Sequence, residues 1–197
     1  MVHPLLYNKE NVGFGNRLVM SQNDNEKDDV FLILTGLGGS AEGFGNKYGH
    51  ICDFVQKDYG FSTFVVQTPQ DVWERKDAFF EEVAANYIQT RRRVYIMGVS
   101  AGASLALWYA ACYPQIRRVL CVNPVLNLNL HLTVAGVRNF CGERMTIVLG
   151  EKDPSAKWAK VIPQRENVQT YIFPAADHVF SGMLDEFIAL PKRFLFE

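Results

Sequence analysis

The chain has 197 residues, 48% of them hydrophobic, with 20 basic against 21 acidic side chains and a formal net charge of −1. That length and apolar content suit one domain over residues 1–197 with a substantial buried core. The near-neutral balance argues against nucleic acid or an anionic membrane surface as a partner, and no stretch reaches the roughly 20 apolar residues that cross a bilayer.

β-like apolar runs alternate with helical patterns along the chain, which predicts an α/β fold with a mostly parallel sheet covered on both faces. Residues 5–8 and 17–21 read as short strands, 22–29 as a polar loop and 30–35 as a continuous apolar strand. A helix is expected over much of 44–57, weakened in its first half by Gly45 and Gly49, followed by a strand at 61–67. Val72, Phe79, Phe80, Val83, Ala84 and Tyr87 recur at helical spacing and predict a helix over 71–90. The basic run Arg91-Arg92-Arg93 closes it and suits a solvated helix end. Next come a strand at 94–97, a helix at 103–112, strands at 118–123, 145–150 and 169–173, and a final helix from Ser181. The sheet should hold seven or eight strands. Between Asn123 and Met145, Leu126, Leu128, Leu130 and Leu132 alternate with polar residues. Period two predicts an extended segment whose apolar face either packs on the body or lines an acyl pocket.

The start of the chain lacks a signal-peptide pattern, so a cytoplasmic location is expected. Cys52, Cys112, Cys121 and Cys141 show no paired or metal-binding spacing and read as buried thiols. No metal or cofactor is expected.

The most informative segment is Gly98-Val99-Ser100-Ala101-Gly102, entered from an apolar strand and left through good helix formers. A serine raised on a tight strand-to-helix turn needs neighbours without side chains on either flank, because the turn brings backbone close there. The alternative is a glycine-rich connection with an inert serine. The stretch resembles the nucleophile elbow of the α/β-hydrolase superfamily. The resemblance covers roughly residues 30–195 and implies a three-layer sandwich with little or no cap, similar to the small esterase-type members.

The superfamily's order of nucleophile, acid and histidine implies Ser100, Asp153 and His178 as the catalytic set. Asp153 follows the strand 145–150, and His178 follows the strand 169–173, so both lie at carboxyl ends of strands. Glu151 is the second choice of acid, and Asp177, adjacent to the histidine, should diverge from its ring. His3, His50 and His131 read as loop histidines hydrogen-bonded to backbone. Residues Thr35-Gly36-Leu37-Gly38-Gly39-Ser40 resemble the superfamily's H-G-x-G-G-S loop, with Thr35 standing where histidine usually buttresses it. The resemblance implies the Leu37 and Ala101 backbone N–H groups as oxyanion donors. As a phosphate-binding loop the segment lacks the G-K-[ST] ending. Phe44, Val125 and Leu126 are expected to contact the acyl group, while Trp108 and Tyr109 read as packing aromatics.

The implied activity is hydrolysis of a small to medium carboxylic ester or thioester, a small-molecule substrate, through a Ser-His-Asp triad and an acyl-enzyme. Alternatives are a peptidase or acyltransferase on the same machinery, or a non-catalytic binding member of the fold. Oligomeric state is not legible.

Overall fold

The computed structural model describes residues 18–20 and 29–197. Seven strands form one sheet: β1 (Leu18–Met20), β2 (Val30–Leu37), β3 (Ser62–Thr68), β4 (Val94–Val99), β5 (Ile116–Val122), β6 (Arg144–Gly150) and β7 (Val168–Phe173), in the order β1-β3-β2-β4-β5-β6-β7. β1 runs antiparallel to β3, and every other pair is parallel. The expected strand at 5–8 lies outside the described residues.

Five helices cover the sheet: α1 (Lys47–Tyr59), α2 (Lys76–Tyr87), α3 (Ala101–Tyr109), α4 (Leu130–Asn139) and α5 (Leu184–Pro191). Strand side chains alternate between the faces. Val30, Leu32 and Leu34 of β2 join a core with Phe80 of α2, Leu105 of α3 and Val137 of α4. Phe31 and Ile33 join the opposite core with Ile51 and Val55 of α1 and Phe187 and Leu190 of α5. A strand clad on both faces reads as an unbroken apolar run, as Val30-Phe31-Leu32-Ile33-Leu34 does.

Several expectations are corrected. Residues 130–139 are helical, not extended. Buried Thr133, Gly136 and Val137 stand at helical spacing, which outweighs the Leu-Asn alternation before them. Trp108 Nε1–H donates to Thr133 Oγ1 at 2.9 Å and ties α4 to α3. The segment thus packs on the body, and no cap stands over the sheet among the described residues. Helix α1 begins only at Lys47, because Gly45 (φ 63°) breaks the preceding 3-10 turn Phe44–Asn46. Cys52 and Cys121 are buried, but Cys112, closing a 3-10 turn, and Cys141, in the loop after α4, are exposed. Helix α2 ends before the arginines. Arg92 and Arg93 instead grip Asp29 at the start of β2, Arg92 in bidentate fashion at 3.1 and 2.9 Å. His50 and His131 are exposed helix residues, not loop residues. His3 lies outside the described residues.

The contact of α4 with α3 is close enough to test. A Cβ at Gly136 would fall 1.9 Å from the Leu107 carbonyl oxygen. Gly136→Ala is expected to destabilise the fold by about 1–3 kcal/mol through overpacking, read as a fall of several degrees in Tm.

Candidate active site

The turn after β4 is where the fold brings chemistry together. Ser100 has φ 52° and ψ −113°, a conformation that L side chains rarely adopt. Its geometry is imposed by packing on both flanks. A Cβ at Gly98 would lie 2.5 Å from Ala103 Cα, and one at Gly102 would lie 2.3 Å from the Leu34 carbonyl oxygen. Helix α3 therefore starts directly behind Ser100, and the Ala101 N–H, in its first turn, has no intrahelical acceptor.

Ser100, His178 and Asp153 meet in a chain of hydrogen bonds. The Ser100 hydroxyl lies 3.0 Å from His178 Nε2. His178 Nδ1 contacts Asp153 Oδ2 on the other side of the ring. An ionised carboxylate can only accept, so Nδ1 carries the ring proton and Nε2 is free to accept from the serine. Asp153 is 4% exposed, and its Oδ1 accepts from the Ser155 N–H at 2.6 Å. Burial pushes the Asp153 carboxyl up, but the bonds from His178 and Ser155 outweigh it and hold it below the usual range. The same bond raises His178 above an ordinary histidine, against the opposing effect of its partial burial.

The alternative acids turn elsewhere. Glu151 Oε2 accepts from the Ala175 N–H at 2.9 Å. Asp177 Oδ1 accepts from the N–H groups of Val179 and Ser181, at 3.0 and 2.9 Å, and folds the loop around His178.

Asn123, not singled out by sequence reasoning, pins this assembly. It is fully buried at the end of β5 with φ 48°. Its Nδ2 donates to the carbonyls of Asp177 (3.1 Å) and His178 (2.8 Å), and its Oδ1 accepts from the Gly150 N–H (2.7 Å). One amide thus ties the histidine loop to the strand end that leads into Asp153. The available signal was an asparagine at a strand's carboxyl end, where a side chain bearing both donors and acceptors can bridge neighbouring loops.

Thr35 does the bracing expected of a histidine. Fully buried, it accepts from the Thr68 N–H at 3.0 Å, while its hydroxyl lies 3.1 Å from the Gly36 carbonyl oxygen and its own carbonyl accepts from Thr68 Oγ1 at 2.7 Å. The Gly39 N–H closes the turn onto the Gly36 carbonyl at 2.9 Å. A Cβ at Gly36 would stand 3.5 Å from Ser100 Cβ, so this loop abuts the serine.

A cleft of about 350 Å³ opens over Ser100 and His178, lined also by Leu37, Phe44, Val179 and Phe187. Phe44 lines the cleft and is largely exposed there. Val125 and Leu126 do not line the cleft. Leu126 is fully buried in the core under α3 and α4, and the Val125 N–H is held by Ser104 Oγ at 2.9 Å. Trp108 and Tyr109 are packing residues, with Tyr109 stacked on Phe80 at 4.8 Å. Among the described residues no group of three or more His, Cys, Asp or Glu could hold a metal ion, and no helix is long and apolar enough to cross a membrane.

No protein-family model matches the sequence, and no curated protein matches it. Solved structures do match the fold. Est1E from Butyrivibrio proteoclasticus superposes with a TM-score of 0.69 at 15% identity, covering 92% of this chain and 93% of that one. An alpha-beta serine hydrolase homologue from Coxiella burnetii gives 0.64 at 17% identity, covering 98% of both chains. The Pyrococcus furiosus esterase Pf2001 gives 0.58 at 14%, covering 91% and 87%. With a parallel sheet between two helical layers and a serine turn at the carboxyl end of β4, the chain has the α/β-hydrolase fold.

Proposed function

We propose that the chain is a serine hydrolase that cleaves carboxylic esters or thioesters of small to medium acyl groups. The observation that carries this reading is the continuous chain from Ser100 through His178 to buried Asp153 at the floor of an open cleft. The fold shared with an esterase and a serine hydrolase homologue supports the same class of reaction.

In this mechanism His178 Nε2 takes the Ser100 proton as the serine oxygen attacks the acyl carbon. Asp153 holds the ring in the productive tautomer and stabilises the imidazolium. The oxyanion of the tetrahedral intermediate accepts from the Ala101 N–H, backed by the α3 dipole, and from the Leu37 N–H. The imidazolium protonates the leaving alcohol or thiol, which departs to give the acyl-enzyme. Water, deprotonated by His178, then attacks the acyl carbon, and the Ser100 oxygen leaves with the proton. A cleft near the lower end of the range for small-molecule sites favours a compact acyl group.

A fluorophosphonate should label wild type but not Ser100→Ala, whose turnover should fall by about 10⁶-fold while the fold is kept. Labelling that persists in the alanine variant refutes the assignment, and a wild type that is never labelled argues for a non-catalytic member of the fold. A panel of esters, thioesters and aminoacyl amides separates the esterase reading from a peptidase.

The base must be neutral, so kcat/KM should rise with pH through a midpoint above the ~6.5 of ordinary histidine. Removing the Asp153 charge lowers the His178 pKa, so Asp153→Asn should move that midpoint down and cost about 10⁴-fold in rate. A pH–rate profile of the two proteins checks both. A profile unchanged by the substitution removes Asp153 from the mechanism.

With no cap over the cleft among the described residues, rates on p-nitrophenyl esters of rising chain length should show no jump at the onset of emulsion. Activation at that interface would mark a lipase with a mobile lid.

A further inference from the structure

The cleft contains one charged group that the proposed hydrolysis does not use. Lys47, the first residue of α1, lines it together with Ser100 and His178. Its ammonium lies 4.0 Å from the centroid of the Phe187 ring and 5.2 Å from that of Tyr48. Among the described residues no carboxylate forms an ion pair with it. The acidic residue nearest to it in sequence, Glu42, is exposed and meets α1 through its carbonyl, which accepts from the Tyr48 N–H at 3.1 Å.

Local backbone holds the lysine there. Gly43 has φ 67°, and a Cβ on it would lie 2.9 Å from Lys47 Cγ and from Tyr48 Cδ2. The loop is also set against α5, since a Cβ at Gly45 would meet Leu184 Cδ2 at 2.8 Å. A cation so placed loses water, and aromatic faces replace only part of that solvation. Burial accordingly draws the ammonium below its usual value. An incoming anion would supply the missing partner.

Much of the remaining lining is apolar. Phe44 is 85% exposed, Val179 64% and Leu37 41%, and all three line the cleft. Apart from His178, no second basic residue lines it among the described residues, which matches one negative charge better than a phosphate dianion.

We propose that Lys47 makes this site selective for esters that carry a carboxylate beside an apolar acyl or alcohol portion, with the ammonium pairing the carboxylate and Phe44, Val179 and Leu37 covering the apolar part. The assignment rests on the hydrolase reading above and deepens it by naming the substrate class.

Two matched pairs of esters test it. Mono(4-nitrophenyl) glutarate against 4-nitrophenyl pentanoate carries the charge on the acyl side. The butyrate esters of 4-hydroxybenzoic acid and 4-hydroxybenzamide carry it on the alcohol side or lack it. In wild type the charged member of one pair should be favoured by about tenfold in kcat/KM, and added salt should reduce that preference. Lys47→Met should bring the ratio to one or below, and Lys47→Arg should restore part of it. A ratio near one for both pairs in wild type, or a preference untouched by Lys47→Met, overturns the proposal while leaving the hydrolase reading intact. Melting curves separate a lysine that merely staples α1 to α5, which would lower Tm and slow both esters of a pair alike. If no ester is turned over, the hydrolase reading fails by itself. Binding of monoethyl glutarate, followed through the backbone amide NMR signals of residues 36–48, then decides the lysine's role. Shifts lost in Lys47→Met support it, and their absence in wild type overturns it.

Discussion

Helix α3 lies so close to the sheet that neither glycine of the serine turn has room for a side chain, with a Cβ at Gly102 aimed at the Leu34 and Thr35 carbonyls and one at Gly98 aimed at the backbone of α3 itself. That approach depends on small residues along the helix, Ala101, Ala103 and Ala106, all buried against β2 and β4. It holds Ser100 at positive φ directly ahead of the first turn of α3. Backbone strain at one residue is tolerated because a large, well-packed core over-determines it. The same compression sets the position of the 35–40 loop, whose Gly36 abuts Ser100.

Placing the serine is only part of the problem, because its partners arrive on loops from β6 and β7. These loops are held by buried polar atoms. Asn123 joins the histidine loop to the end of β6 through three bonds of one amide, and the loop after Phe173 lies directly on Gly150, where a Cβ would come 2.6 Å from the Ala176 carbonyl oxygen. Ala175 (φ 60°) and Phe180 (φ 59°) bracket His178 with two further left-handed residues. A buried side-chain amide left unpaired would be costly, so each of these bonds narrows the conformations open to the histidine loop. On the other side of the serine, Thr68 donates two bonds to Thr35, one from its N–H and one from its hydroxyl, which brace the loop without a histidine ring.

The walls of the cleft have a different origin. They come from the irregular stretch between β2 and α1, which carries Phe44, from the start of α1, which carries Lys47, and from α5, which carries Phe187. Gly43 and Gly45, both left-handed, fold that stretch over α5. Ser100 therefore sits at a strand end, whereas these walls are built from loop and helix termini, where residues vary without disturbing the core.

The sequence by itself determined the layering and the order of elements, because strands clad on both faces read as unbroken apolar runs and helices as spaced ones. Val30 to Leu34 and Val94 to Met97 were legible for this reason, and the glycine flanks of Ser100 were legible because only a missing side chain permits the turn. The tertiary structure decided what depends on distant partners. Residues 130–139 became a helix because Thr133, Gly136 and Val137 find α3, a contact that the local Leu-Asn alternation could not announce. Leu126 went into the core for the same reason. Asn123 acquired its bridging place only when β5, β6 and the histidine loop converged, and Lys47 its contact with the Phe187 ring only when α5 closed over α1, since proximity between residues distant in sequence is set by packing and not by local pattern.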